Sequence, residues 1–352
     1  SDEDLPPMAS GAFGYLGYDM VRYFEPVGKK PPSDFEVPEA LLVRPKVVLI
    51  FDHLHQELIL VGAVRLDGEP TVEEARTNAA LDEVEEALDR PTPATPRGQS
   101  ERSLAFESNK SLDAYHEVVE SARRYIRAGD IFQVVPSQRF TANYPYSSLA
   151  FYRSLRALNP SAFMFHMRFG DTQLVGSSPE ILVRVRDGRM SVRPIAGTRP
   201  RSDDKAENLR RQQDLLSDEK ECAEHLMLLD LGRNDVGRVC EYGSVEVTES
   251  FVVEHYSHVM HIVSQVEGNL RADKTLKDAL MAGFPAGTVS GAPKIRAMQI
   301  IDELEGNSRG VYGGAVGYFG WKGDLDTCIA LRTAVLQNGQ LHIQAGGGVV
   351  LD

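Results

Sequence analysis

Several short stretches of this 352-residue chain gather groups that bind cations, anions and protons. In ECAEHLMLLDLGRND, Glu221, Glu224 and His225 stand at i, i+3 and i+4 and share one helix face. Such a face is either solvated or buried, and the run LMLL at 226–229, apolar on more than one side, argues for burial. Buried carboxylates need a cation or a proton. One or two of them, with a substrate completing the shell, make the usual Mg²⁺ site. AGTVSGAPK (286–294) sets Thr288, Ser290 and two glycines ahead of Pro293 and the helical IRAMQIIDELE. Ser290 or Gly291 is expected near the N-cap, which reads as a plain cap or as an anion site. Arg332 lies within the apolar CIALRTAVL, where a bidentate carboxylate contact suits its guanidinium. QAGGGVV lets backbone amides approach a ligand closely. In SVRPIAGTRPR (191–201), Ala196-Gly197-Thr198 sits among arginines. That is an ordinary strand end, with Gly turning and Pro200 stopping the ladder, or a space kept clear for an anion. SSPEIL adds the carboxyl group of Glu180. No G-x-S-x-G, Walker A or G-x-G-x-x-G motif is present. The chemistry implied is metal-assisted substitution or elimination on a small polyanion, with a carboxyl group as proton donor.

The elements that must hold these groups read as α+β with antiparallel sheets. ILVRVR and RMSVRP flank Asp187-Gly188, and CIALRTAVLQ and QLHIQAGGG flank Asn338-Gly339, both two-residue hairpin signals. Ser111 is expected to cap a helix ending at Gly129, and TVEEARTNAALDEVEEALDR spells another. Residues 91–103, PTPATPRGQSERS, form the best linker, dividing a 1–100 region from a 105–352 region. A net charge of −13 argues against nucleic acid, and no apolar run suits a membrane. Three cysteines without metal-ligand spacing fit a reduced, cytoplasmic compartment. The chain opens at SDEDLPPM and stops at GGGVVLD, and both ends read as trimmed.

With these residues in view, the chain resembles the chorismate-utilising enzymes, and within them the large, aminase subunits of anthranilate synthases. SSPEIL, PIAGTRPR, EHLMLLDLGRND, MHIVSQVEG, FPAGTVSGAPK, YGGAVGYF and DTCIALRTA occur in the family's order, most densely over 130–352. The resemblance implies large antiparallel sheets packed as a sandwich with helices outside. It implies Glu224 as a Mg²⁺ ligand with Glu221 in support, and Glu180 as the acid that protonates the departing C4 hydroxyl. Arg332, Tyr312 and the amides of Gly346 and Gly348 would clamp the substrate's carboxylates. Thr198, His261 and Thr288 would wall the pocket, with His261 a second catalytic candidate. The implied reaction joins chorismate and ammonia and eliminates pyruvate to leave anthranilate, the first step of tryptophan biosynthesis. The ammonia would come from a separate glutamine amidotransferase subunit. Aminodeoxychorismate synthases usually carry Lys where this chain has Ala196, and isochorismate and salicylate synthases place a water-activating Lys at Gln133. Ala196 with Gln133 therefore implies ammonia as the nucleophile. An aminodeoxychorismate synthase and a non-catalytic chorismate-binding fragment are the alternatives. The family's second Mg²⁺ carboxylate would lie past Asp352. Tryptophan is an implied feedback inhibitor, but residues 159–164 read NPSAFM where the family has N-P-S-P-Y-M, and the family's Leu-Leu-Glu-Ser segment does not occur.

Overall fold

The computed structural model describes residues 5–65, 67–92 and 103–351; ten residues of the expected linker, 93–102, lie outside them. Seven α-helices are described: α1 (Pro70–Leu88), α2 (Leu112–Arg127), α3 (Ser148–Leu158), α4 (Lys205–Ser217), α5 (Glu219–Gly237), α6 (Leu276–Gly283) and α7 (Lys294–Glu305). A nine-stranded antiparallel sheet runs in the order 195–200, 259–269, 189–192, 181–186, 325–329, 315–320, 11–16 and 40–43, with 246–255 also paired to 259–269. A six-stranded sheet runs 107–108, 137–143, 340–346, 333–337, 172–178 and 163–169. The 1–100 region thus contributes two strands to a sheet otherwise built from the 105–352 region.

The two sheets face each other across Tyr15, Val316 and Cys328 on one side and Leu174, Val335 and Phe165 on the other. Leu229 and Val236 of α5, Leu280 of α6 and Met298 of α7 cover the back of the large sheet. Phe151, Tyr152 and Leu155 of α3 pack near Val175, Leu336 and Leu341 of the small one. The α+β sandwich with helices outside is therefore what forms, because each strand hides alternate residues on both faces.

Local signals explain much of this. Asp187 and Gly188 take φ of 50° and 72°, and Asn338 and Gly339 take 52° and 73°, as a type I′ hairpin requires. The Ser111 side chain accepts from the Ala114 amide and caps α2, whose chain then turns at Gly129 with φ 82°. Strand Ile195–Pro200 passes a register shift at Gly197 and ends at Pro200, which is tolerated because this strand lies at the sheet's edge. Two expectations need correction. The N-cap of α7 is Pro293, not Ser290 or Gly291, because Gly291 and Ala292 pair with Val134 and Gln133. CIALRTAVL is two strands rather than one, Leu325–Ile329 in the large sheet and Thr333–Gln337 in the small sheet.

Candidate active site

The break in that last segment is where the site begins. The chain crosses between the sheets at 330–332, and Arg332 makes the turn with φ 47°. Its neighbour crosses at 179–180, between strands Thr172–Ser178 and Ile181–Arg186. The crossings are tied together, since the Ile329 amide donates to Glu180 O and the Ser177 amide donates to Arg332 O, both at 3.1 Å. Glu180 and Arg332 are thus held by adjacent main chains. The Arg332 side chain is exposed and makes no ion pair among the described residues, so it is free to receive an anion.

Glu180 is 7% exposed and accepts a hydrogen bond from Thr288 Oγ1 at 3.1 Å. Burial pushes its carboxyl up to about 8, against the opposing pull of that hydrogen bond. A buried carboxyl that stays protonated near neutrality can donate a proton to a leaving oxygen. Glu180 and Thr288 border a cavity of about 40 Å³ with Leu228 and Leu231 of α5. A Cβ on Gly287 would come within 2.3 Å of Leu231 Cδ2, so α5's leucines pack directly on this backbone.

Thr198 on the edge strand and His261 on the strand beside it have Oγ1 and Nδ1 3.1 Å apart, and Nδ1 also contacts Gly197 O at 2.9 Å. The carbonyl contact makes Nδ1 the protonated nitrogen. Burial lowers the His261 pKa, the Gly197 carbonyl opposes that, and the Arg332 charge lowers it further, keeping the ring neutral. Tyr256 packs edge-on against the imidazole, with centroids 5.3 Å apart.

Glu221 reaches the same place from α5. Its Oε1 accepts from Arg199 Nη1 at 3.0 Å, and a Cβ on Gly197 would lie 3.2 Å from its Oε2. Arg199 also binds Asp214 and Asp218, so this arginine of GTRPR does not wait for a ligand: acidic side chains already consume it. Glu224, one turn on, is half-buried; burial and then the charge of Glu221 push its carboxyl pKa up. His225 does not join them. It is fully buried, bonds Ser264 Oγ through Nε2 at 2.7 Å, and burial drops its pKa to about 4, so it belongs to the core. Two neighbouring carboxylates are hard oxygen donors of the kind Mg²⁺ takes, though Glu221 is here engaged by Arg199. Among the described residues, the group of three close metal-ligating side chains is elsewhere, at Asp52, His55 and Glu57 on a hairpin turn.

A second cluster is built mostly from main chain. Tyr312 is buried, and its hydroxyl lies so close to Gly346 that a Cβ there would come within 2.9 Å of it. Gly348 lies against Gln133, whose buried Oε1 lacks a hydrogen-bond partner. Gln133 is fixed between two expected motifs, because its strand pairs with Gly291–Ala292 and Val134 bridges to Val349. The 286–293 segment therefore joins Glu180 to Gln133. Sequence reasoning missed two buried ion pairs behind this frame, Asp235 with Lys294 at 2.8 Å and Glu305 with Arg309 at 2.5 Å. The i, i+4 spacing of the second pair was the one available signal.

A protonated carboxyl, two neighbouring carboxylates, an exposed guanidinium and glycine amides accord with an enzyme acting on a small polyanion. The sequence profile of the chorismate binding enzymes matches residues 1–352, and the chain belongs to that family. It is a chorismate-utilising enzyme. The chain is 54% identical over 353 residues to anthranilate synthase component 1 of Cereibacter sphaeroides, covering 99% of this chain and 70% of that one. It is 51% identical over 358 residues to the same component of Pseudomonas aeruginosa, covering 99% and 72%. The crystal structure of anthranilate synthase component I from Streptococcus pneumoniae superposes with a TM-score of 0.90 at 42% identity, covering 98% of this chain and 76% of that one. The menaquinone-specific isochorismate synthase of Escherichia coli shares the fold, with a TM-score of 0.75 at 19% identity over 96% of this chain and 78% of that one. No helix among the described residues is long and apolar enough to cross a membrane.

Proposed function

We propose that this chain is a carbon–oxygen lyase that converts chorismate and ammonia to anthranilate and pyruvate. The observation that carries the reading is Glu180: a carboxyl buried among apolar side chains, pushed up to about 8, and held by Thr288 beside the Arg332 crossing. The similarity to anthranilate synthase component 1 supports the choice of reaction. Glu180 gives its proton to the departing C4 hydroxyl. Arg332, Tyr312 and the amides around Gly346 and Gly348 take one carboxylate. Glu221 and Glu224 would hold Mg²⁺, which supplies positive charge to the ring carboxylate when bound. His261, neutral with Nδ1 protonated, walls the pocket and offers Nε2 as an acceptor. Ala196 supplies no amine and Gln133 no base, so ammonia is the nucleophile. It would come from a glutamine amidotransferase subunit, in the cytoplasm.

The test uses chorismate, an ammonium salt and Mg²⁺, followed by anthranilate fluorescence. The reading expects fluorescent product that disappears with a chelator and returns with Mg²⁺. Aminodeoxychorismate as the accumulating product would move the chain to the folate branch. Binding without turnover in the complex with its amidotransferase would make it a binding fragment.

A further inference from the structure

Arg309 is 2% exposed, and no step proposed above uses it. A guanidinium so deep is costly unless it is paired and every donor is directed. Glu305 supplies the pairing, taking Nε at 3.0 Å on Oε2 and Nη2 at 2.5 Å on Oε1. The remaining donors go to main chain: Nη1 to Val289 O and Nη2 to Val135 O, each at 2.6 Å. Glu305 Oε1 in turn accepts from the Ser137 amide at 2.7 Å and from Ser137 Oγ at 2.8 Å. The Tyr312 ring lies beside the guanidinium, 5.5 Å away.

Each of these contacts ends next to a residue of the site. Val289 follows Thr288, which holds Glu180. Val135 lies two residues after Gln133. Ser137 is the register partner of Gly346, and the Tyr312 hydroxyl lies against Gly346. Segments far apart in sequence therefore meet on one rigid, planar group. An ordinary core contact would need only apolar filling; here the donors fix the angle between two carbonyl-bearing walls, which a point charge cannot do. Sites that grip an anion through main-chain amides tolerate displacements of only about 0.5 Å.

We propose that the Arg309–Glu305 pair is the positioning unit of the substrate site, setting the walls that carry Thr288, Gln133, Tyr312 and Gly346 at the spacing chorismate requires. The proposal rests on the reading of this cleft as the chorismate site. The test measures chorismate Kd by calorimetry with Mg²⁺, together with KM, kcat and Tm, for the chain in complex with its amidotransferase. Arg309→Lys keeps the charge but cannot reach both carbonyls and Glu305 at once. It should raise Kd and KM by ~10-fold, equivalent to about 1.4 kcal/mol, while kcat moves less. Ser137→Ala removes one bond to Glu305 and one from Gln344, and should move Kd in the same direction by a smaller factor with a smaller loss of Tm than Arg309→Lys. If Arg309→Lys does not fold, Ser137→Ala decides. Parental Kd in every folded variant, whatever the Tm, would overturn the positioning role while leaving the site's reading intact. A parent chain that binds no chorismate would instead refute the reading of the site.

Discussion

Glu180 and Gly346 belong to the two halves of the candidate site, and the fold prepares them by opposite means. On the Glu180 side the working groups are side chains, and the fold acts by withholding water from them. Burial pushes Glu180 up to about 8, and burial together with the Arg332 charge keeps His261 neutral. On the Gly346 side the working groups are amides, and the fold acts by bringing backbones close. A Cβ at Gly346 would lie 2.8 Å from Pro136 O and 2.9 Å from the Tyr312 hydroxyl. One side is sensitive to pH and charge, the other to fractions of an ångström.

Substitutions can separate the two. The largest effect is expected from Glu180→Gln, which should cut kcat roughly 10²–10⁴-fold while chorismate still binds, as fluorescence and calorimetry would report. Normal turnover would remove Glu180 from the acid role. Gly346→Ala should do the reverse, weakening Kd by ~10-fold at a milder cost in kcat. Thr288→Val tests the link between the sides. Its hydroxyl stabilises the ionised Glu180, so its loss should raise that pKa further and move the alkaline limb of kcat/KM upward from about 8. An unmoved limb would assign the titration to another group.

The smallest effect is on stability. Between the ordinary 4.5 and about 8, folded Glu180 keeps a proton that the unfolded chain has released. Stability therefore falls as pH rises through that window and levels off above it. The Tm of Glu180→Gln relative to the parent should rise from pH 5 to pH 9, by on the order of 5 °C. A pH-independent difference would contradict a buried, protonated Glu180.

The same contrast explains what could be read in the sequence. Hairpins at Asp187-Gly188 and Asn338-Gly339 were legible because their turn chemistry is local. The placing of Glu221 with Glu224 followed from helical spacing, but His225 at the next position turned inward. Spacing gives a direction around the helix, and only the partner strand carrying Ser264 decides which direction is dry. The Arg332 crossing was hidden because apolar residues fill both strands, and periodicity does not register a residue at φ 47°. Pro293 took the cap because its neighbours pair with a strand more than 150 residues away in sequence. The amide side was legible only as a run of glycines. What those amides face depends on Tyr312, Gln133 and the buried Arg309.

The twin crossings at Glu180 and Arg332 stitch the sheets along a single seam. Adding or deleting one residue in either thread would turn every downstream side chain of that strand inside out, spoiling a whole layer rather than a loop. Change in this neighbourhood is therefore confined to swapping side chains at constant length. A proton donor and an anion receptor sewn into the same seam would also travel together whenever the layers slide, so breathing of the sandwich leaves their separation untouched.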